Sequence, residues 1–151
     1  GMAICFAETD VRPMGRDAAG VRGIRLDDGD EVVSAAVAAE GKSLLTVTEN
    51  GYGKRTDISE FRLQSRGGKG IINFKVTPKT GPVIGARSVS DDEALVLLTS
   101  TNKIIRMSVD EIRSVGRATI GVRLVKLDDG ARVVGFDLVN SDPDAENGES
   151  L

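Results

Sequence analysis

The chemistry this sequence offers is electrostatic. In Gln64-Ser65-Arg66-Gly67-Gly68-Lys69-Gly70 a guanidinium and an ammonium flank two glycines. Gly67, Gly68 and Gly70 have no Cβ, so their backbone amides can come close to an oxyanion, and a run of such amides makes an anion-binding concavity. Arg66 adds a planar fork of donors and Lys69 a point charge. Together they suit a phosphate. The bland alternative is a tight turn with a solvated Arg and Lys. Other chemistry is poorly supplied. There is no histidine and only one cysteine, Cys5. That removes the commonest general base, argues against a zinc site and rules out an internal disulfide. No nucleophile or paired-carboxylate motif stands out, so no catalytic residue, metal or cofactor is expected.

The heptad is one copy of something larger. Val11-Arg12, Phe61-Arg62 and Ile112-Arg113 align at offsets of 50 and 101 residues. At the same offsets Arg16, Arg66 and Arg117 coincide, and so do Gly20, Gly70 and Gly121. Val21–Gly29 then matches Val122–Gly130 without a gap. One arginine per unit at a fixed height suits repeated phosphate contacts along a curved rim. It also suits a fastener that bonds one unit to backbone carbonyls of the next. A second basic set comprises Lys54, Arg55, Arg62, Lys103, Arg106 and Arg113, with Arg12 in the first unit. For each one singly a solvated strand face is the simpler reading, and the cluster argues for phosphate contact more than its members do.

The units read as β. Ser43–Thr48 is a short β-branched run ending at Glu49-Asn50-Gly51, and Leu95–Thr99 ends similarly near Asn102. Val32-Val33, Val83-Ile84 and Val133-Val134 each follow a turn-rich stretch. Val109 to Val115 and its copy at Ile58–Leu63 suggest short connectors. A period near 50 residues fits a four-stranded blade, which needs ~40–50 residues. The expected fold is all-β, a propeller-like array of four-stranded blades in units of about 1–40, 41–92 and 93–139. No apolar strand precedes Gly1 and the last unit closes after Val139, so an arc of a larger, incomplete ring is expected. Its exposed blade edges would favour self-association.

The formal charge is −3, but it is unevenly spread. Residues 41–92 carry nine basic and five acidic side chains, while residues 140–151 carry four acidic side chains and no basic one. That last stretch reads as a disordered acidic tail. Aromatics are 3% of the chain, too few for a single-strand stacking platform. No run approaches the ~18 apolar residues of a membrane span. The first residues lack the pattern of a signal peptide, and a cytoplasmic setting fits the single cysteine.

Two stretches carry a family resemblance. Gly1–Phe6 with Asp10–Arg16 and Gly20–Ile24, and Gly51–Thr56 with Phe61-Arg62 and Gln64–Gly70, resemble blades of the C-terminal β-pinwheel of the bacterial DNA gyrase A protein. The family's box is Gln-Arg-Arg-Gly-Gly-Lys-Gly, and Gln64–Gly70 departs from it only at Ser65. The resemblance covers residues 1–139. It implies a module that binds double-stranded DNA without reading sequence and bends or wraps it. It further implies service to a type II topoisomerase that introduces negative supercoils, on the bacterial chromosome, with the rest of the gyrase A protein and with the gyrase B protein as partners. A full box is implied in an upstream blade. The DNA-contacting residues implied are Gln64, Arg66, Gly67, Gly68, Lys69 and Gly70, and the residue pattern itself adds Arg16, Arg117, Lys54, Arg55, Arg62, Lys103, Arg106 and Arg113. Two alternatives stand beside this reading: the related domain of topoisomerase IV, and a propeller-type protein-interaction scaffold.

Overall fold

A computed structural model describes residues 1–140. The expected acidic tail, from residue 141 on, lies outside the described residues. The chain forms strands β1 (Met2–Ala3), β2 (Ser43–Thr48), β3 (Tyr52–Asp57), β4 (Ile71–Ile72), β5 (Val83–Val89), β6 (Glu93–Thr99), β7 (Ile104–Ser108), β8 (Val122–Arg123) and β9 (Val133–Asn140). The connectors after β3 and β7 begin with single 3-10 turns, Ile58–Glu60 and Val109–Glu111, and a third stands at Glu8–Asp10. The fold is all-β.

Two hairpins close by the same device. The amide of Tyr52 donates to Thr48 Oγ1 at 3.2 Å, and that of Lys103 to Thr99 Oγ1 at 3.1 Å. Gly51 and Asn102 take the left-handed turn position, with φ of 85° and 62°. A Cβ at Gly51 would stand 2.9 Å from Val125, so this turn needs glycine for space as well as for φ.

Strand order shows how units join. The four-stranded sheet runs β5-β2-β3-β8, and its last strand comes from the third unit. Tyr52 pairs with Arg123 and Gly53 with Val122. The first junction repeats the arrangement, with Met2 paired to Ile72 and Ala3 to Ile71. A parallel bridge beside each pairing, Cys5 with Leu63 and Arg55 with Ser114, extends the contact. The second and third units therefore each lend a two-residue strand to the sheet before them. The third sheet, β7-β6-β9, has three strands among the described residues.

The core lies between the second and third sheets. Leu45, Val47, Leu95 and Leu97 are fully buried there with Val89, Val109, Ile112 and Val133. Burying each such side chain contributes about 1.5–3 kcal/mol. The strand expected at Val32-Val33 does not form, and both side chains are exposed. Its counterparts β5 and β9 are strands because β2 and β6 pair with them; among the described residues nothing takes that place beside Val32.

In two of its three copies the recurring glycine follows from the borrowed strand; the third, Gly20, has a φ of 80° but open space around it. Gly70 and Gly121 have φ of 78° and 69°. A Cβ at Gly70 would lie 2.2 Å from the carbonyl oxygen of Ala3, and one at Gly121 2.5 Å from that of Gly53. Gly130, with φ of 76°, has open space around it. Gly130→Ala should cost about 1–2 kcal/mol, the left-handed penalty alone. Gly70→Ala should cost about 3 kcal/mol or more, because backbone must also move. Urea unfolding of the two variants checks this; equal losses would contradict the steric account.

Candidate nucleic-acid interface

The heptad 64–70 is built into the junction of the first two units. The amide of Gln64 donates to Cys5 O at 2.8 Å and that of Gly67 to Gly23 O at 2.7 Å, while Gly68 O accepts from the amide of Arg25 at 2.8 Å. Gly67 takes a φ of 88°, which suits glycine. With its amide oxygen turned towards Arg62, Gln64 accepts from that guanidinium at 3.2 and 3.3 Å. Lys69 is exposed, its Nζ 3.7 Å from Asp27 Oδ1.

Arg66 reaches back across the junction. Its Nε donates to Asp10 O at 3.1 Å and its Nη1 to Arg22 O at 2.7 Å. Arg117 donates to Ile72 O at 3.0 Å. Arg22 and Ile72 hold the same repeat position, so the two arginines make the same bond at successive junctions. The geometry is that of the fastener. Arg16, the third member, is exposed and makes no hydrogen bond or ion pair among the described residues.

The second basic set divides by burial. Lys54 is fully buried. Its ammonium donates to Gly116 O at 2.8 Å, to Thr119 Oγ1 at 3.2 Å and to Arg117 O, and stands 5.4 Å from the centre of the Phe74 ring. Arg55 is nearly buried. It donates through Nε to Ile112 O at 2.8 Å and through Nη2 to Asp110 O at 3.4 Å, and it pairs with Asp91. The sequence expectation sets both against a phosphate backbone; both instead turn inward and hold the third unit's connector. Charge type alone does not reveal this, because a long basic side chain is as able to bond carbonyls as phosphates. Arg62 and Arg113 are exposed. Lys103 is exposed and paired with Asp128 at 2.7 Å, and Arg106 donates to Asn140 O at 2.8 Å.

Other cations do not stand out from sequence alone. Arg25, Lys75 and Lys126 are exposed and share one repeat position, at offsets of 50 and 101 residues. That recurrence is the signal by which they could be found. Lys79 and Arg123 stand beside Tyr52 near the edge formed by β8.

Burial first of all pushes the Lys54 ammonium down to about 8, with Arg117 acting in the same direction and Glu60 opposing. Below pH 8 folded and unfolded chains both hold this proton, so the cost of burying the charge is constant. Between about pH 8 and the ordinary lysine range the unfolded chain holds more protons, so stability rises with pH. Lys54→Met removes the ammonium's charge-assisted bonds, although Gly116 O and Arg117 O keep the hydroxyl and the amide of Thr119, and should lose about 1–3 kcal/mol at neutral pH. The gap between parent and variant should widen as pH rises from 8 to 10. Denaturant midpoints along a pH series check both; a gap that stays flat would show that Lys54 keeps an ordinary pKa.

Known proteins share this fold and much of this sequence. A family model described as the DNA gyrase C-terminal domain, beta-propeller, matches residues 1–39, 42–90 and 93–140. The chain is 67% identical over 147 residues to the DNA gyrase A protein of Lawsonia intracellularis, covering 95% of this chain and 18% of that protein. It is 42% identical over 151 residues to the corresponding protein of Escherichia coli, covering all of this chain and 17% of that one. It thus spans less than a fifth of the length of these curated relatives. Among solved structures, a DNA gyrase A C-terminal domain superposes with a TM-score of 0.84 at 32% identity, covering 91% of this chain and 47% of that one. The C-terminal domain of DNA topoisomerase IV superposes with a TM-score of 0.87 at 26% identity, covering 99% of this chain and 47% of that one.

Proposed function

The chain belongs to the family of DNA gyrase C-terminal beta-propeller domains, and from that premise we propose that it binds double-stranded DNA along its outer edge and bends it. The observation that carries this reading is the recurrence of an exposed cation, Arg25, Lys75 and Lys126, at one position in each of three units. Equal spacing along the units suits repeated backbone contacts and carries no base information. Lys69 and Arg16 add exposed charge, and Arg62 and Arg113 add more. At the heptad, the amides of Gly68, Lys69 and Gly70 bond to no acceptor among the described residues, which leaves them available to a phosphate. Units 1–40, 41–92 and 93–139 each contribute one segment of the surface.

Binding energy comes from released counterions, and bending strain of order 1–6 kcal/mol opposes it. The module has no catalytic part. It presents a bent duplex to a type II topoisomerase made of the rest of the gyrase A protein and of the gyrase B protein, in the bacterial cytoplasm. The likeness to the topoisomerase IV domain favours a second reading, contact with DNA without a wrap of fixed hand.

Affinity for linear duplex over a salt series tests the DNA reading. A steep fall with log salt is expected, and salt-insensitive binding would sink it. Lys69→Ala should lower the slope by about 0.9 with little change in melting temperature. Arg66→Ala should mainly lower the melting temperature, because its guanidinium is committed to carbonyls. Relaxation of closed circles in the presence of the chain separates the two readings: a shift in linking number signals a wrap of one hand, and no shift signals contact alone.

A further inference from the structure

At the junction of the second and third units, β3 and β8 leave a cleft of about 360 Å³. Three cations line it: Lys79, Arg123 and Lys126. None of them is paired with a carboxylate among the described residues. Two are gathered on the single tyrosine: Lys79 Nζ lies 5.7 Å and Arg123 Cζ 5.8 Å from the centre of the Tyr52 ring. Arg123 Nη2 also donates to the Tyr52 hydroxyl at 3.4 Å, which leaves the hydroxyl proton to be donated outward. Val125 and Leu127 give one wall an apolar lining.

The backbone beneath these groups is held in place. Arg123 stands opposite Tyr52 in the β3–β8 pairing. Asn50 Nδ2 donates to Pro78 O at 3.3 Å and to Lys79 O at 3.2 Å, which pins the turn that carries Lys79. The amide of Leu124 donates to Gly51 O at 2.8 Å and so fixes the approach to Lys126. Like charges crowded on a fixed frame repel one another, and an anion relieves that cost.

The first junction supplies a control within the same molecule. There Met2 pairs with Ile72 where Tyr52 pairs with Arg123. The turn corresponding to that of Lys79 is Asp27-Asp28-Gly29-Asp30. Of the cations only Lys75, the counterpart of Lys126, remains. The cluster therefore belongs to one junction and is no general property of the repeat.

We propose that this cleft seats one phosphate group, with Lys79, Arg123 and Lys126 supplying charge and the Tyr52 hydroxyl a directed donor. For the source of the phosphate, a duplex backbone, the proposal rests on the DNA reading above; a free phosphate or a nucleotide shares the chemistry. The field in the cleft is positive: Arg123's hydrogen bond above all, outweighing the effect of burial, holds the Tyr52 phenol below the usual tyrosine range, and the charges of Arg123 and Lys79 help.

The chain has one tyrosine and no tryptophan, so tyrosinate absorbance reports on this cleft alone. Its midpoint is measured with inorganic pyrophosphate, with a short duplex, and with sodium chloride at matched ionic strength. A bound phosphate should raise the midpoint by about half a pH unit or more relative to chloride. In Lys79→Gln/Lys126→Gln, which leaves the Arg123–Tyr52 contact intact, that shift should vanish. The salt slope of duplex binding should fall by about 0.9 in the same variant. Both effects together assign the seat to DNA. A midpoint shift with pyrophosphate and an unchanged duplex slope assigns it to a free phosphate ligand. If Tyr52 answers to neither pyrophosphate nor duplex, the seat is overturned, even where the slope falls, because the lysines then act only as diffuse surface charge. If the parent chain shows no salt-dependent duplex binding, the DNA reading fails, and the pyrophosphate arm alone decides the seat.

Discussion

A two-residue strand lent by the second unit to the first, and by the third to the second, sets how the units of this molecule stand together. Two residues give few hydrogen bonds, and so short a strand would not hold alone. It is held because glycine at its start lets the backbone turn at positive φ directly against a neighbouring carbonyl. The connector leading to it is then bonded down by Arg66 at one junction and by Arg117 and Lys54 at the next. Strand, glycine and fastener form one device, and it carries the heptad to the seam between units.

That placement divides the cations by task. A guanidinium that satisfies a buried carbonyl, as Arg55 does at Ile112 O, is worth more to stability than a surface ion pair, because that acceptor would otherwise lose water without a partner. Arg66, Arg117 and Lys54 also commit their charge to carbonyls of the seams, the two arginines at exposed ones. Lys69, Arg16, Arg25, Lys75 and Lys126 do not, and their charge faces solvent. The net negative charge of the whole chain therefore says little about the potential along this edge.

The repeat was legible because it rests on backbone demands. Gly20, Gly70 and Gly121 share a positive φ, at the last two no side chain fits as well, and Thr48 and Thr99 recur because each closes a hairpin. Strands β2, β5, β6 and β9 follow from apolar, β-branched runs bounded by turns. Exchange of strands between units was not legible, since Ile71-Ile72 and Val122-Arg123 are too short to show a period. Nor was the inward turn of Lys54 and Arg55. Both sit in a basic run that reads as a solvated face or a phosphate contact, and burial is decided by a connector some 60 residues away. The pairing of Tyr52 with Arg123 depends on the same exchange and was hidden for the same reason.

The two junctions share a backbone and differ in what they display. Where the second has Tyr52, Lys54 and Arg123, the first has Met2, Ile4 and Ile72, and the short strand pairs in the same register at both. A frame fixed by main-chain bonds and glycine tolerates this, since neither depends on the identity of the edge side chains. Charge can then be redistributed from junction to junction without altering the spacing of the units. In such an architecture geometry and electrostatics vary independently, so the seams, where the two meet, are where one unit can acquire a property its neighbours lack.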